Sequence, residues 1–466
     1  MLNLTGRGVQ LCDGVSRRDW LRIGGVGLGG LTLPGLQQAL EANPSGTDRG
    51  TAKSVILFWL TGGVPQHDTW DPKPNGPESA RSEFGTIATA TPGLHVGSLM
   101  PRTAQLTDRI AVIRSMSTGD NAHSSSGYQM LTGIPHVPLS RENALPQAPT
   151  DWPSIGALVR TQCPDGDGLP AAVTLPRRIA NVGEKVWPGQ DAGFLGRRFD
   201  PWLMTCDPSS ENFGIPDLSL PKEVSRGRFD RRLSLLDRVN EQLGNLQRHG
   251  DVSGYDLRFS QAVDLLAGQR AREAFDLSRE PAAVRDRYGR SKFAQSVLLG
   301  RRLIEAGTRL VQVNWQRIDD KENNGSWDTH SKHHESLKGW LMPIMDRAYS
   351  ALLEDLEQRG LLEETLVAWV GEFGHTPKIN ARKGRDHWGR AFSIALAGGG
   401  IQGGIVHGST DRQGGEVISG RVQPSDYVAT VLHCLGIDPE TTIHDAQQRP
   451  IPLCRGRVLR QLLANS

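Results

Sequence analysis

The sequence predicts an α/β fold in which a doubly wound, mostly parallel sheet carries helices on both faces. Short apolar segments alternate along the chain with longer segments of helical periodicity, which is typical of this fold class. The chain has 54 glycines among 466 residues, and this abundance favours tight turns and functional loops. Hydrophobic residues make up 37% and charged residues 22%, which excludes a disordered chain and a coiled coil.

Six apolar segments have the length and composition of buried parallel strands. They cover residues 54–60, 109–113, 171–175, 309–313, 366–370 and 392–396. The first of them is followed by Thr61, Gly62 and Gly63, so the sequence predicts a strand that leads directly into a loop.

Helical periodicity extends over residues 298–306, 334–359 and 426–435, and a glycine follows each segment. Glycine is the preferred residue just past the end of a helix. Residues 229–290 differ from the rest because they are charged, rich in arginine and patterned for helices. We predict one α/β domain over residues 54–466, with a helical insertion at about 229–290.

The amino terminus has the features of a twin-arginine export signal. Arg17 and Arg18 precede Trp20 and a short, glycine-rich apolar stretch over residues 23–36, which gives the charged front and apolar middle of such signals. A transmembrane helix needs a longer apolar segment. We therefore predict a signal peptide at 1–42, a linker at 43–53, a periplasmic or extracellular location, and no membrane span after signal removal.

The balance of charge and the cysteine content bear on whether the protein binds nucleic acid and whether cysteines hold a zinc ion. Lysine and arginine number 53 against 51 aspartates and glutamates, so we predict no nucleic-acid partner, which would need a concentrated basic face. The 5 cysteines include no Cys-x-x-Cys pair, which disfavours a cysteine zinc site. Their spacing leaves one or two disulfides open.

Histidines and carboxylates collect in four segments near the ends of predicted strands, where α/β sheets bind ligands. The first segment contains His67 and Asp68, and its alternative is a proline-rich turn capped by aspartate. The second, around His123 and Ser124, is predicted to open a helix whose free amide groups attract anions. A plain serine N-cap is the alternative for this segment.

The third segment contains Asp328 and His330, and the fourth contains Glu372, His375 and His387. Histidine with carboxylate ligands suits a divalent metal, and a dinuclear site needs ligands from several loops at once. We predict a divalent metal, zinc or a similar ion, with calcium and magnesium as further candidates. The predicted metal ligands are His67, Asp68, Asp328, His330, Glu372, His375 and His387.

Three basic residues near the fourth segment are predicted to bind an anionic group, with surface charge as the alternative. They are Lys378, Lys383 and Arg385. Together with a metal that polarises an ester oxygen, such cations would neutralise the negative charge that develops during hydrolysis.

Several motifs carry a family resemblance across nearly the whole chain. They are Gly-Gly-Val-Pro-Gln-His-Asp-Thr-Trp-Asp-Pro from Gly62, Met-Leu-Thr-Gly ending at Gly133, Trp-Asp-Thr-His from Trp327, Gly-Glu-Phe-Gly-His-Thr-Pro from Gly371, and Gly-Arg-Asp-His-Trp from Gly384. In this order they resemble an uncharacterised family of twin-arginine-exported, sulfatase-like bacterial proteins within the alkaline phosphatase superfamily. The resemblance implies an alkaline phosphatase-like fold, with a nucleophile at a helix N-terminus and one or two metals held by aspartate and histidine.

By this resemblance, Asp68 or His67 matches the metal ligand after the first strand. Asp328 and His330 resemble the aspartate and histidine of the middle loop. The paired aspartates that sulfatases have after the first strand are replaced here by Thr61-Gly62. The resemblance therefore implies a metal site with an altered ligand set.

The resemblance also implies that Glu372 stands where an aspartate is usual, and that His375 or His387 supplies the remaining imidazoles. At the offset of the sulfatase nucleophile motif, Cys/Ser-x-Pro-x-Arg, this chain has His123, so a formylglycine nucleophile is not expected. His123 as nucleophile, as metal ligand and as base toward Ser124 all remain open. Since a helix N-terminus disfavours a protonated imidazole, we predict a neutral His123 near pH 7.

These observations predict an exported metal-dependent hydrolase of phosphate or sulfate esters, acting on a small-molecule or glycan ester. The alternative is a non-catalytic exported protein that binds an anionic glycan or a partner in the same crevice. An oxidoreductase is disfavoured because the glycine pattern over residues 24–29 that resembles a dinucleotide fingerprint lies in the predicted signal.

Overall fold

Eight strands pair into one mixed sheet at the centre of the computed structural model, which describes residue 50 and residues 52–464. Gaps in this description fall at residues 167, 212, 214–226, 229–230, 232–234, 236–268, 319–320 and 446. The predicted signal at 1–42, most of the linker at 43–53 and most of the insertion at 229–290 lie outside the described residues. Residues from Gly50 onward form one compact unit.

Six of the eight strands of the sheet coincide with the predicted apolar segments. In chain order the strands of the sheet are β1 (Ser54–Trp59), β2 (Ile110–Met116), β3 (Ala172–Leu175), β4 (Trp202–Leu203), β5 (Leu310–Asn314), β6 (Thr365–Val370), β7 (Phe392–Ala397) and β8 (Val406–His407). All six predicted strands are confirmed. The two strands that the sequence did not predict, β4 and β8, are two residues long and stand at the sheet edges, and so short a strand leaves no periodic pattern.

β1 lies inside the sheet and runs parallel to both of its neighbours, β5 and β6. β3 continues the parallel arrangement beyond β5, whereas β7 is antiparallel to β6 and β2. The prediction of a mostly parallel sheet is therefore confirmed. The register aligns Trp59 with Val370 and with Asn314, so the loops after β1, β5 and β6 leave the same end of the sheet.

The helices follow the predicted periodicity, with shifted boundaries. They are α1 (His123–Thr132), α2 (Ile155–Gln162), α3 (Gln269–Phe275), α4 (Ala282–Tyr288), α5 (Lys292–Glu305), α6 (His333–Ser336), α7 (Met342–Gln358) and α8 (Pro424–Cys434). A π-helical turn, Leu337–Leu341, joins α6 to α7 and makes them one long helical segment. α5 begins earlier than predicted because the Ser291 hydroxyl caps it by accepting a hydrogen bond from the Ala294 amide.

Alternating side chains of β1 divide the apolar core in two. Ile56 and Phe58 belong to the cluster that contains α5 and α7. Val55, Leu57 and Trp59 belong to the cluster that contains α1, α2 and α8. Helices therefore cover both faces of the sheet, which confirms the predicted doubly wound arrangement. The described part of the predicted insertion contains α3 and α4.

Short elements occupy the loops around the sheet. Two-stranded ribbons pair Thr86–Ala88 with His95–Gly97, Ala180–Asn181 with Lys185–Val186, Gly374–His375 with His387–Trp388, Ser409–Thr410 with Val417–Ser419, and Thr442–His444 with Pro450–Pro452. In the part of the chain that the structure describes, no helix has the length and apolar character needed to cross a membrane. The four cysteines of that part are free, so no disulfide links them.

Candidate metal centre

Four chain segments bring histidines and carboxylates together at the carboxyl ends of β2, β5 and β6. Asp328 and His330 lie in the loop between β5 and α6, and Glu372 follows β6. His123 is the first residue of α1, and His387 lies in the short ribbon that follows β6. The parallel register of β1, β5 and β6 brings the loops that follow these strands to the same end of the sheet.

Asp328 stands at the centre of the group. Its Oδ1 atom lies 3.0 Å from Nε2 of His330 and 2.9 Å from Nε2 of His387, and its Oδ2 atom lies 3.1 Å from Nε2 of His123. The Nε2 atoms of His330 and His387 are 2.9 Å apart. The Asp328 and His330 side chains keep 27% and 30% of their exposure, so solutes can reach the cluster. We call His123, Asp328, His330 and His387 the histidine cluster.

The second ring nitrogen of each of these three histidines, Nδ1, faces a protein oxygen. Nδ1 lies 2.8 Å from Glu372 Oε1 in His123, 2.8 Å from Asp386 Oδ1 in His330, and 2.8 Å from the Asn121 carbonyl in His387. A carboxylate or carbonyl oxygen can only accept a hydrogen bond, so each Nδ1 carries the proton. In the neutral rings, all three Nε2 lone pairs therefore point at Asp328.

Glu372 is held behind His123. Its Oε1 atom also accepts a hydrogen bond from the Gly62 amide at 2.7 Å. Gly62 has φ +115°, and a Cβ atom there would overlap the backbone nitrogen of Asp328, so the close approach of the two loops requires glycine. Glu372 thus orients the His123 ring, and its buried Oε2 atom has no hydrogen-bond partner in the described part of the chain.

The ionisation of His123 differs from the sequence prediction. Burial lowers the pKa of His123, but the hydrogen bonds with Asp328 and Glu372 outweigh burial and raise this pKa to about 10. The predicted neutral imidazole is therefore wrong for the protein without a bound cation, because that prediction considered the helix N-terminus and not the two carboxylates. Burial raises the pKa of Asp328, but its three histidine partners hold it well below its usual value.

Aromatic rings pack against the histidine cluster. The Trp187 ring stacks on His123 at 5.7 Å between centroids, and Phe373 lies 5.0 Å from His123 and 4.5 Å from His387. Trp187, Asp386 and Asn121 are site residues that were not predicted from the sequence. Asp386 precedes His387 in the Gly-Arg-Asp-His-Trp motif, whereas nothing in the local sequence marks Trp187.

The structure does not support Ser124 as a catalytic residue. Its hydroxyl donates to the Arg141 carbonyl at 2.8 Å and accepts from the Ala144 amide at 2.9 Å. The side chain is fully buried. The next two serines are also engaged, since Ser125 accepts from the Arg141 amide and Ser126 donates to the Glu372 carbonyl. These hydroxyls therefore fix loops around the start of α1.

Asp68 lies in a second group rather than in the histidine cluster. Its Oδ2 atom is 2.9 Å from Nε2 of His333, whose Nδ1 is 2.6 Å from the Thr329 hydroxyl. Ser82 donates to Asp68 Oδ1 at 2.6 Å, and the guanidinium of Arg385 is 3.7 Å from Asp68. A Thr329 hydroxyl that donates to Nδ1 lets Nε2 donate to Asp68, so hydrogen bonds satisfy this group without a cation.

Two further predicted ligands also stand apart from the histidine cluster. His67 Nε2 lies 2.7 Å from the Gln413 carbonyl, and burial lowers the pKa of His67 to about 4. Both ring nitrogens of His375 are buried and have no hydrogen-bond partner among the described residues.

Ligand atoms that lie close enough to hold one ion occur in two sets of described residues. These are His123, Asp328 and His387, and Asp68, His333 and His334.

The three predicted anion-binding residues do not converge on one point. Lys378 lines an open groove of about 630 Å³ on the side of Asp68 and His334. Lys383 is exposed on its loop. Arg385 is fully buried and donates to the carbonyls of Thr376 and Pro377, so its guanidinium serves the loop and the Asp68 group.

One family model matches almost the whole described chain. It covers residues 52–463 and its description is "Protein of unknown function (DUF1501)". The chain belongs to the DUF1501 family. This membership confirms the resemblance to an uncharacterised family. Among curated protein sequences, none matches this DUF1501 chain significantly.

Several solved structures are similar to this DUF1501 chain at low identity. The phosphonate monoester hydrolase SpPMH from Silicibacter pomeroyi is 12% identical, with a TM-score of 0.40, over 89% of this chain and 77% of its own. The PsFucS1 sulfatase from Pseudoalteromonas sp. is 13% identical, with a TM-score of 0.36, over 86% and 70%. An alkaline phosphatase superfamily protein from Vibrio parahaemolyticus is 12% identical, with a TM-score of 0.37, over 86% and 71%.

Proposed function

We propose that this DUF1501 protein is an exported hydrolase of phosphate or sulfate esters that depends on one divalent metal ion held by the histidine cluster. One observation carries the metal proposal. Three Nε2 atoms converge on one carboxylate, while each Nδ1 atom is occupied by a protein acceptor.

The donor set fits a metal of intermediate softness. Histidine ligands in metal sites usually donate a hydrogen bond from their second ring N–H to a carboxylate or a backbone carbonyl. The Nδ1–H groups of His123, His330 and His387 all have such an acceptor here. Facing lone pairs 2.9 Å apart repel each other unless a proton or a cation lies between them. Three imidazoles with one carboxylate favour zinc or a similar ion over calcium and magnesium, which prefer oxygen ligands.

The proposed reaction depends on which side chains of the site are not already engaged in hydrogen bonds. When bound, such a metal supplies Lewis acidity that polarises an ester oxygen and activates a water molecule. The serines at the start of α1 are engaged in hydrogen bonds with the backbone, which supports water rather than serine as the nucleophile. His123 acts as a ligand in this proposal, with Glu372 fixing its ring.

The ester class and the export rest on the sequence. The motifs that resemble sulfatase-like proteins support a phosphate or sulfate ester of a small molecule or a glycan as the substrate. The predicted signal at 1–42 supports a periplasmic or extracellular site of action.

Metal content and ester hydrolysis of the purified mature protein test the proposal. We expect about one equivalent of zinc or a similar ion by elemental analysis after dialysis, and hydrolysis of aryl phosphate or aryl sulfate. His330→Ala and His387→Ala should each lose metal and activity. His95→Ala is the matched control, since His95 is exposed on a ribbon away from the cluster.

Two outcomes would change the assignment. A wild-type protein that takes up no divalent ion on reconstitution would overturn the metal centre. A protein that holds the ion and hydrolyses neither ester class would favour the alternative of a non-catalytic binding protein.

A further inference from the structure

We propose that Arg317 binds a tetrahedral oxyanion, the phosphate or sulfate group of the substrate, in a small cavity beside the histidine cluster. This inference rests on the proposed function, because it names the group by which that function would recognise its substrate.

The cavity lies between the loop after β3 and the loop after β5. Its volume is about 150 Å³, and its walls include Thr61, Arg177, Arg178, Asn181 and Arg317. Pockets for whole drug-sized ligands have volumes of roughly 300–1,000 Å³. The cavity therefore suits one small group of a substrate whose remainder stays outside.

Two residues of the cavity wall, Thr61 and Asn181, are linked to the histidine cluster through neighbouring residues. Thr61 precedes Gly62, whose amide holds Glu372. Asn181 accepts a hydrogen bond from the indole N–H of Trp187 at 2.7 Å, and the Trp187 ring stacks on His123. A group bound in the cavity would consequently lie next to the proposed metal ligands.

Of the three arginines in the cavity wall, two already have carboxylate partners. Arg177 donates to both carboxylate oxygens of Glu184 at 2.6 Å, and Arg178 donates to both oxygens of Asp191 at 2.7 and 2.8 Å. Within the described residues, the guanidinium of Arg317 has neither a hydrogen bond nor an ion pair, although the side chain is partly buried. Of the three arginines, Arg317 is therefore the one whose guanidinium remains available for a ligand.

The carboxylates near Arg317 do not take up its hydrogen-bonding capacity. Burial lowers the pKa of Arg317, and so does the charge of Arg177, whereas the carboxylates of Asp328, Glu184 and Glu372 oppose that shift. However, the oxygens of Asp328 already face His123, His330 and His387. A guanidinium without partners in a partly desolvated site gains from an anion, and its planar fork matches two oxygens of a phosphate or sulfate group.

Titration calorimetry with inorganic sulfate, inorganic phosphate and acetate tests this assignment on the mature protein, both metal-loaded and chelator-treated. We expect sulfate or phosphate to bind more tightly than acetate. Arg317→Ala should weaken that binding at least tenfold, and Arg317→Lys should restore part of it, because lysine keeps the charge and loses the fork. Arg421→Ala should change nothing, since Arg421 is exposed and does not line the cavity.

The outcomes separate this inference from the proposed function. Equal sulfate and phosphate affinities in wild-type and Arg317→Ala protein would overturn it, as would a wild-type protein that binds neither ion. If the protein takes up no metal and still binds the anion through Arg317, the proposed hydrolase fails and the anion site stands. If metal and hydrolysis are present and the KM is unchanged in Arg317→Ala, the anion site fails alone.

Discussion

At the scale of single residues, the partner of each ring decides what the histidine cluster can do. His330 illustrates this, because Asp386 fixes its Nδ1 proton and so directs its Nε2 lone pair at Asp328. The sequence can mark His330 as a candidate metal ligand, but not which of its nitrogens faces Asp328, since that depends on a hydrogen bond to a residue in another loop.

We expect Asp386→Asn to lower metal affinity by roughly 10–100-fold, the usual cost of removing such a supporting carboxylate. The amide cannot accept the Nδ1 proton as strongly, so the ring is less well oriented and less basic. Competition with a chromophoric zinc chelator measures the change, and Glu363→Gln, an exposed glutamate, is the control. An unaltered affinity in Asp386→Asn would contradict the role given to this residue.

The position of Ser124 leads to a second prediction at this scale. Ser124→Ala leaves the Arg141 carbonyl and the buried Ala144 amide without their partner, which should lower the free energy of unfolding by about 1–3 kcal/mol. Hydrolysis per folded molecule should persist, because the proposed function uses water as the nucleophile and the Ser124 hydroxyl is bonded to the backbone. Chemical denaturation and kcat together provide the measurement. Complete loss of turnover in a folded, metal-loaded variant would instead indicate a serine nucleophile.

At the scale of elements, a buried ionic network joins α4, α5 and α7. Arg301 is fully buried and pairs with Glu280 at 2.7 Å and with Asp355 at 3.1 Å. The Tyr288 hydroxyl donates to Asp355 at 2.8 Å. Burial raises the pKa of Asp355, but Arg301 and Tyr288 hold it below its ordinary value of 3.8. This network links helices around the described part of the predicted insertion to the sheet-packing helices.

The lowered pKa of Asp355 fixes the sign of a pH effect. A carboxyl with a lower pKa in the folded state contributes stability above its unfolded pKa, and this contribution is lost as the pH falls from about 4 through the folded value. Asp355→Asn should destabilise the protein by about 1–3 kcal/mol at neutral pH, because buried Arg301 and the Tyr288 hydroxyl lose a charged acceptor while Arg301 keeps Glu280 as a partner. Because asparagine does not titrate, the free energy of unfolding of this variant should also fall less steeply than that of the wild type below about pH 4.

A surface pair on the same helix provides the comparison. Glu357 pairs with Arg109 at 2.7 Å with both side chains partly exposed, and such pairs contribute about 0–1 kcal/mol. Urea denaturation of Asp355→Asn and Glu357→Gln between pH 3 and 7 measures both effects. The prediction is wrong if the two variants lose the same stability and keep the same acid slope.

At the scale of the whole molecule, the described domain and the predicted signal make separate contributions. The domain carries the histidine cluster, and the predicted signal at 1–42 lies outside the described residues. Changing Arg17 and Arg18 together to lysine should abolish export, since the arginine pair is the recognised feature of such signals. Cell fractionation with antibody detection measures this, and an exported double variant would refute the signal.

The sequence by itself determined the six longer strands of the sheet, the fold class, the family and most of the histidine cluster. Continuous apolar segments predicted β1, β5 and β6 because burial on both faces leaves a local pattern in the chain. Parallel strands then imply that the loops carrying Asp328, His330 and His387 meet at one end of the sheet.

Only the tertiary structure decided how these side chains are partnered. In the folded chain, Asp68 pairs with His333, which is 265 residues away. The Ser124 hydroxyl bonds the Arg141 carbonyl and the Ala144 amide. Arg317 has no partner among the described residues. Hydrogen bonds and ion pairs depend on directions and distances between segments far apart in sequence, and no local pattern encodes them. For that reason, the residue types of the site were predictable from the sequence, whereas their roles followed from the packing.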